Sequence, residues 1–434
     1  MKKAKHKLIF LPDPSSPLVF VDFALRHGSL ADPVGKEGLA SVTLSMLLRG
    51  TVKQSSEDFH RTLDDLGAEL HLGKLKESLR VYGVTMGKNL PEFLDLFEEM
   101  ITSPRFDELE FRKVKDQFKS ALIDELGSDE DIAERRFQEY MLFGNAYGRI
   151  TSGSLKSLEN IELEDVRKFH AQYFCAEDAI FSATGSFVEA KLAKRAKQLL
   201  DRLPQRNHAV VTAPAPELPK GRNLLLLDKP GRTQAQLYIG ASGISFRDED
   251  YLPLMIANHV FGGGSFSARL MHEVREKRGW SYGCNSWYRG GKVPLYMGMQ
   301  AVPSNKDAVG AMKLMVKLFE SYAKKGITKK EFDFAKKSLL NQSAFMQDTL
   351  RKRLDNKITA ELLGLPMNYF DSYGKRLKAV TYAKVQKAIS RKVNSKNLFM
   401  LMLTTVSEIE KDLPSLKVKA KVVRKFDEDA VKLF

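Results

Sequence analysis

Arg275 and Tyr282 lie seven positions apart inside the run FGGGSFSARLMHEVREKRGWSYGCNSWY, Phe261 to Tyr288. A guanidinium and a phenol aimed at one point can hold a peptide carbonyl and the oxyanion that grows on it. Each such donor is worth on the order of 3 kcal/mol of transition-state stabilisation. The surrounding residues say how the pair would be positioned. Ser265 or Ser267 can cap a helix whose apolar side is Leu270, Met271 and Val274. Gly279 is a natural stop, because glycine takes positive φ at a helix C-terminus. Trp280, Tyr282 and Cys284 then alternate with small or polar residues, as in a strand with one buried face. Each residue also has a plainer reading. Arg275 suits a helix end electrostatically, and Tyr282 could be a core residue with its hydroxyl at the rim. Arg278 is a rival arginine on the same turn, only four residues from the tyrosine. Gly262, Gly263 and Gly264 could serve as a flexible gate, permit close backbone approach, or fill a helix–strand junction needing unusual φ. No lysine–serine pair follows them, so they are not a phosphate loop.

Metal ligation finds no support in local spacing. No two of the eight histidines are three to five residues apart, and His272 to Glu276 spells HExxE, not HExxH. That segment reads as a partly exposed charged helix face. Lone histidines such as His170 and His259 are expected in hydrogen-bonded structural roles. Cys175 and Cys284 are too far apart in sequence for a metal-spaced pair and suit buried reduced thiols.

At 434 residues the chain exceeds one ordinary domain, and 43% hydrophobic with 28% charged residues is the balance of a globular protein. No apolar run approaches the roughly 20 residues that span a bilayer. The apolar run Leu8 to Leu11, closed by Pro12, is too short for a signal peptide. The expectation is a cytoplasmic protein, or a periplasmic one if the numbering starts after a removed leader. The net charge of +15 raises nucleic-acid binding. However, Lys417, Lys419, Lys421, Arg424 and Lys425 are interleaved with Val418, Ala420 and Val422, the pattern of a solvated edge strand. With no nucleic-acid motif beside them, an acidic protein partner or peptide is the better match.

The order of elements occurs twice. Glu110 and Phe111 correspond to Glu331 and Phe332 at an offset of 221, and Leu158 and Val166 to Leu377 and Val385 at 219. The strand AIFSATGS has its counterpart in LFMLMLTT, and the helix Phe93 to Ile101 in Ala308 to Phe319. Near-constant offsets imply two copies of one unit. The chain therefore divides into residues 1–202, a proline-rich linker 203–222, and residues 223–434. Strands mixed with helices in each half make the fold class α+β, a sheet covered by helices in each of two similar domains.

The Phe261 to Tyr288 run closely resembles the second-half motif of the M16 family of zinc peptidases, the pitrilysin and mitochondrial processing peptidase type. In that family an arginine and a tyrosine at this spacing hold the substrate backbone beside the zinc, and Arg275 and Tyr282 match them. The resemblance covers essentially the whole chain and implies two similar, mainly antiparallel domains that close like a clamshell. The first-half words survive too: GSLADPVGKEGLASVTLSMLLRGT is similar to the family's stretch around His-x-x-Glu-His. The chemistry does not survive. Ser41, Leu44 and Ser45 stand where the two zinc-binding histidines and the water-polarising glutamate belong, and the distal ligand position falls in Lys119 to Leu122, without an acid.

Some M16 members split these parts between two chains. The resemblance therefore implies the non-catalytic subunit of a heterodimeric zinc peptidase, with no metal of its own. Its partner would be a homologous subunit with intact His-x-x-Glu-His that carries the zinc. Arg275 and Tyr282 would orient an extended peptide at that zinc. The alternative is an inactive structural or peptide-binding protein of the same fold. A self-sufficient peptidase fits least.

Overall fold

The computed structural model describes residues 7–206, 208–209 and 211–423. Five strands build the first sheet: β1 (Lys7–Pro12), β2 (Leu18–Leu25), β3 (Glu69–Lys74), β4 (Leu79–Met86) and β5 (Ala179–Gly185). They lie in the order β1-β5-β2-β4-β3, with β1 and β5 parallel and the other pairs antiparallel. The second sheet has β6 (Arg222–Asp228), β7 (Gln236–Ser242), β8 (Ser281–Gly290), β9 (Pro294–Pro303), β10 (Leu398–Thr404) and β11 (Lys419–Val423). Their order is β11-β6-β10-β7-β9-β8, antiparallel from β10 to β8. The α+β class with two mainly antiparallel sheets is what the structure has. Strand β11 is an edge strand, and Lys419 and Lys421 on it are exposed or partly so. Arg424 and Lys425 lie outside the described residues.

The repeat shows in the cores. Phe111 and Phe332 are buried on corresponding helices, Glu108–Gly127 and Lys329–Ser343. Leu158 and Leu377, and Val166 and Val385, are fully buried in their respective cores. Strands β5 and β10 are buried at every position. Burial on both faces replaces polar alternation with a nearly continuous apolar run.

Covering the second face of each sheet requires a helix from the other half of the sequence. The compact units are accordingly discontinuous. One comprises Met1–Asp124, Arg149–Ala213 and Met346–Phe370; the other comprises Glu125–Gly148, Pro214–Phe345 and Asp371–Phe434. The contiguous domains expected from the repeat, 1–202 and 223–434, are thus modified by two exchanged helices. In the second unit, Phe137 of helix Asp129–Met141 packs against Tyr238, Tyr296 and Phe399 at ring separations of 5.2, 5.5 and 6.0 Å. In the first, Leu354 and Ile358 of helix Leu350–Leu363 pack on Ile9, Ala24 and Ile180. Apolar packing alone leaves a helix free to slide, and charge fixes the register in the first unit. Asp22, wholly buried in β2, pairs with Arg80 of β4, and Arg351 of the exchanged helix reaches it at 3.2 Å. Asp355 closes the group, 2.7 Å from Arg80 and 2.9 Å from Arg351.

Removing one member of a buried ion group leaves the others uncompensated. Asp22→Ala is therefore expected to cost about 3–5 kcal/mol of stability in chemical denaturation. A loss below 1 kcal/mol would show that Asp355 alone suffices. A pH effect follows from His170, whose Nε2 lies 2.9 Å from the Ile101 carbonyl. Burial lowers its pKa to about 4, against that bond, from an unfolded value of 6.5. Between pH 6.5 and 4 the unfolded chain binds a proton that the folded chain does not, so this stabilisation declines as pH falls through that window. Melting temperatures measured from pH 7 to 4 should fall less steeply for His170→Gln than for the parent.

Candidate peptide-contact site and the degenerate metal position

The segment after the second unit's helix Tyr251–Asn258 departs from ordinary helical geometry twice. His259–Gly263 and His272–Glu276 are both π-helical turns, and the second carries Arg275. Such turns insert a residue into the helical register and recur at functional sites, because they re-aim side chains. Between them Ser265–Ser267 forms a tight turn, and the next helical turn, Arg269–Met271, starts after Ala268. The expected serine cap is not formed. Ser267 Oγ instead donates backward to the Gly264 carbonyl at 2.8 Å, and Ser265 takes a positive φ of 51°.

Gly262, Gly263 and Gly264 do not supply unusual φ; none of them lies in the positive region. They supply room. A Cβ on Gly262 would meet Ser286 Oγ at 2.3 Å, and one on Gly264 would meet the His259 carbonyl at 2.4 Å. The loop is bound to β8 through Asn258, which accepts from Ser286 Oγ at 2.6 Å and donates to the Ser286 carbonyl at 3.2 Å. Gly279 does take positive φ, 63°, and ends the helical segment as expected; its amide bonds the Arg275 carbonyl at 2.8 Å.

Strand β8 corrects the sequence reading at the position that matters most. Cys284 is buried, but Tyr282 is 84% exposed. Alternation fails because the β8–β9 pairing slips between Ser281 and Cys284: Ser281 faces Pro303, and Cys284 faces Ala301. The extra residue is a β-bulge, which turns Tyr282 off the buried face. Ser281 stabilises the bulge from within. Its hydroxyl donates to the Gly283 carbonyl at 2.5 Å and accepts the Val302 amide at 2.8 Å. The reading of Tyr282 as a core residue is thereby excluded.

The Arg275 guanidinium lies 4.3 Å from the centre of the Tyr282 ring and 4.9 Å from that of Phe266, which is itself 60% exposed. Two aromatic faces hold the cation by its attraction to their π electrons. No carboxylate among the described residues pairs with it, so its N–H groups stay available. Arg278 differs: it bonds the Glu273 carboxylate at 2.9 Å and the Glu273 carbonyl at 2.7 Å, and it stacks on Trp280. The rival arginine is occupied, and Arg275 is the open donor. Phe266 was missed by sequence reasoning. The available signal was a large apolar residue between two serines in a glycine-rich turn.

His272 Nδ1 bonds Glu276 at 2.6 Å on the exposed face, as the charged-face reading expects. His259 differs from its expected hydrogen-bonded role in one respect: its buried Nε2 has no partner among the described residues.

The three positions that the family resemblance assigns to the metal motif carry neither an imidazole nor a carboxylate. Ser41, Leu44 and Ser45 lie on helix Leu39–Met46. Ser41 Oγ donates to the Thr151 carbonyl at 2.8 Å, Ser45 Oγ donates to the Ser41 carbonyl at 3.0 Å, and Leu44 is in the core. Lys74 of β3 sends its ammonium to Ser45 Oγ at 2.9 Å and over the Phe118 ring at 4.7 Å. Burial lowers its pKa, which marks the desolvation of this cation. A built-in positive charge thus stands against Ser45. In a Ser41→His, Leu44→Glu, Ser45→His variant, metal analysis should find no more zinc per chain than in the parent. A gain of one equivalent would show that Lys74 and the missing distal acid do not matter.

Local spacing also missed a group that the fold assembles. His27, Asp178 and His208, far apart in sequence, place one ligand atom each within 4.8 Å of one another in the first unit. No helix among the described residues is long and apolar enough to cross a membrane.

Comparison with known proteins gives consistent likenesses. Residues 9–153 match the family described as Insulinase (Peptidase family M16), and residues 160–339 match Peptidase M16 inactive domain. A curated relative from Helicobacter pylori (strain ATCC 700392 / 26695), named non-peptidase homolog YmxG, is 24% identical over 370 residues, 85% of each chain. Another, from Bacillus subtilis (strain 168), bears the name uncharacterized zinc protease YmxG; it is 21% identical over 87% of this chain and 91% of its own. Among solved structures, a peptidase M16 inactive domain from Pseudomonas fluorescens superposes with a TM-score of 0.85 at 23% identity, over 92% of this chain and 96% of that one. A chain of complex III2 from Candida albicans gives 0.76 at 17%, over 93% and 94%. At these identities the structures speak to fold alone.

Proposed function

The chain belongs to the M16 peptidase family, and from that premise we propose that it is a non-catalytic M16 subunit. It lends Arg275 and Tyr282 to a partner that holds the zinc. One observation carries the reading: an exposed tyrosine and an uncommitted guanidinium are held together by a bulge, a π-turn and a second exposed aromatic. A scaffold has no need to display two strong donors at that structural cost, whereas a peptide carbonyl beside a zinc uses both. The serines and leucine at the family's ligand positions, with Lys74 among them, agree with a chain that makes no such site itself. The relative named a non-peptidase homolog supports the same direction. The extended peptide would add its backbone to a sheet edge of the partner. With a net charge of +15, acidic segments are the favoured peptides or partner surfaces.

The test begins with gentle affinity purification from native cells. A chain of similar size with intact His-x-x-Glu-His should co-purify near one-to-one. In that complex, Tyr282→Phe should lower kcat/KM about 100-fold, as loss of one oxyanion donor does, with assembly unchanged. Unaltered kinetics, or recovery only with proteins lacking that motif, would move the chain to the structural or peptide-binding class.

A further inference from the structure

Distinct from the Arg275–Tyr282 site is a group where the chain leaves the first unit. His208 lies beyond helix Glu189–Arg202 and outside any helix or strand, yet its side chain is only 8% exposed. It is drawn against the end of β2 and the approach to β5. His208 Nε2 lies 3.1 Å from His27 Nε2 and 3.5 Å from Asp178 Oδ2, and His27 Nε2 lies 2.8 Å from that same oxygen. Tyr173 flanks both rings, at 5.1 Å from His27 and 4.8 Å from His208.

Hydrogen bonding does not satisfy this arrangement. The Nε2–H that His27 gives to Asp178 faces the second imidazole's Nε2, which has no acceptor of its own better than the same oxygen at 3.5 Å. If His208 instead donates to His27, then His27 presents a lone pair to a carboxylate. In every neutral tautomer pair, two like-acting atoms face each other inside the protein. Neither buried Nδ1 has a partner among the described residues, so none of those residues fixes either tautomer with Nε2 protonated. The carboxylate is ready for a cation. Its Oδ2 faces both imidazoles, at 2.8 Å from His27 Nε2 and 3.5 Å from His208 Nε2. Arg206 occupies only the other oxygen, Oδ1, at 3.0 Å.

We propose that His27 Nε2, His208 Nε2 and the Asp178 carboxylate form a binding site for a divalent transition metal of the zinc class. The protons move to Nδ1 of both rings, and a water takes the fourth position. Two imidazoles and one carboxylate suit a borderline ion, and a tetrahedral zinc with bonds of about 2.1 Å spaces its ligand atoms about 3.4 Å apart. Of the observed separations, 3.5 and 3.1 Å lie close to that spacing, and the 2.8 Å His27–Asp178 contact must open by about half an ångström or slightly more to admit the ion. Cys175 stays outside the ligand set, its thiol donating to Asp178 Oδ2 at 3.0 Å. The ion would clip the start of the inter-unit segment onto the first unit, a structural role independent of proteolysis.

The experiment uses the full chain, stripped with chelator and titrated with Co(II), then with Zn(II) in competition with a chromophoric chelator. One equivalent should bind, Co(II) should show the visible bands of a tetrahedral site, and the melting temperature should rise with free zinc. His208→Ala, in irregular chain and therefore tolerated by the fold, should weaken binding more than about 100-fold, beyond the loss expected for an outer-shell partner. His60→Ala, an exposed histidine elsewhere, should leave binding unchanged. Absence of a saturable equivalent in the folded parent, or equal affinity in His208→Ala, would overturn the site.

Discussion

A buried carboxylate determines how the first unit is built. Asp22 sits in the middle of β2 with no exposure, and a charge there is tolerable only if opposite charges come to it. One comes from the neighbouring strand, Arg80. The other, Arg351, comes from a helix more than three hundred residues away in sequence, and Asp355 on that helix completes the group. The apolar side of the same helix covers Ile9, Ala24 and Ile180. Apolar contact supplies most of the free energy of that docking. The ion group supplies register, because a slide of one helical turn would strand the charges.

Compatible constraints appear in the second unit, where they serve display instead of burial. Helix Asp129–Met141 closes one face of the sheet through Phe137. On β8 the ladder yields at a bulge, and the helical segment before it yields at a π-turn. Each irregularity costs regular hydrogen bonds and is repaired locally, by Ser281 in one case and by Gly279 in the other. What results is one uncommitted guanidinium between two exposed rings. The nearby Arg278, bound to Glu273 and stacked on Trp280, shows what an arginine with a purely structural role looks like in the same segment.

The two halves of the repeat present different side chains. In the first, Ser41 and Ser45 bond backbone carbonyls and the Lys74 ammonium reaches Ser45. In the second, Arg275 lies against the exposed Tyr282 ring. The His27–Asp178–His208 group belongs to neither motif. It depends on irregular chain after the first repeat returning to the end of β2.

Much of the fold was legible from sequence because it rests on local or periodic signals. The offsets linking Phe111 to Phe332 and Val166 to Val385 expose the duplication, since both copies must bury the same positions. Alternating lysines on 417–421 announce an edge strand, which β11 is. The spacing of Arg275 and Tyr282 was likewise readable. Only tertiary structure decided the rest. Which helix covers which sheet is a contest between distant apolar faces, settled by Phe137 and by the charges around Asp22. The exposure of Tyr282 follows from how β8 pairs with β9, and alternation along one strand cannot reveal a slip against its neighbour. Convergence of His27, Asp178 and His208 needs three strangers in sequence to meet, which depends on the path of the whole chain.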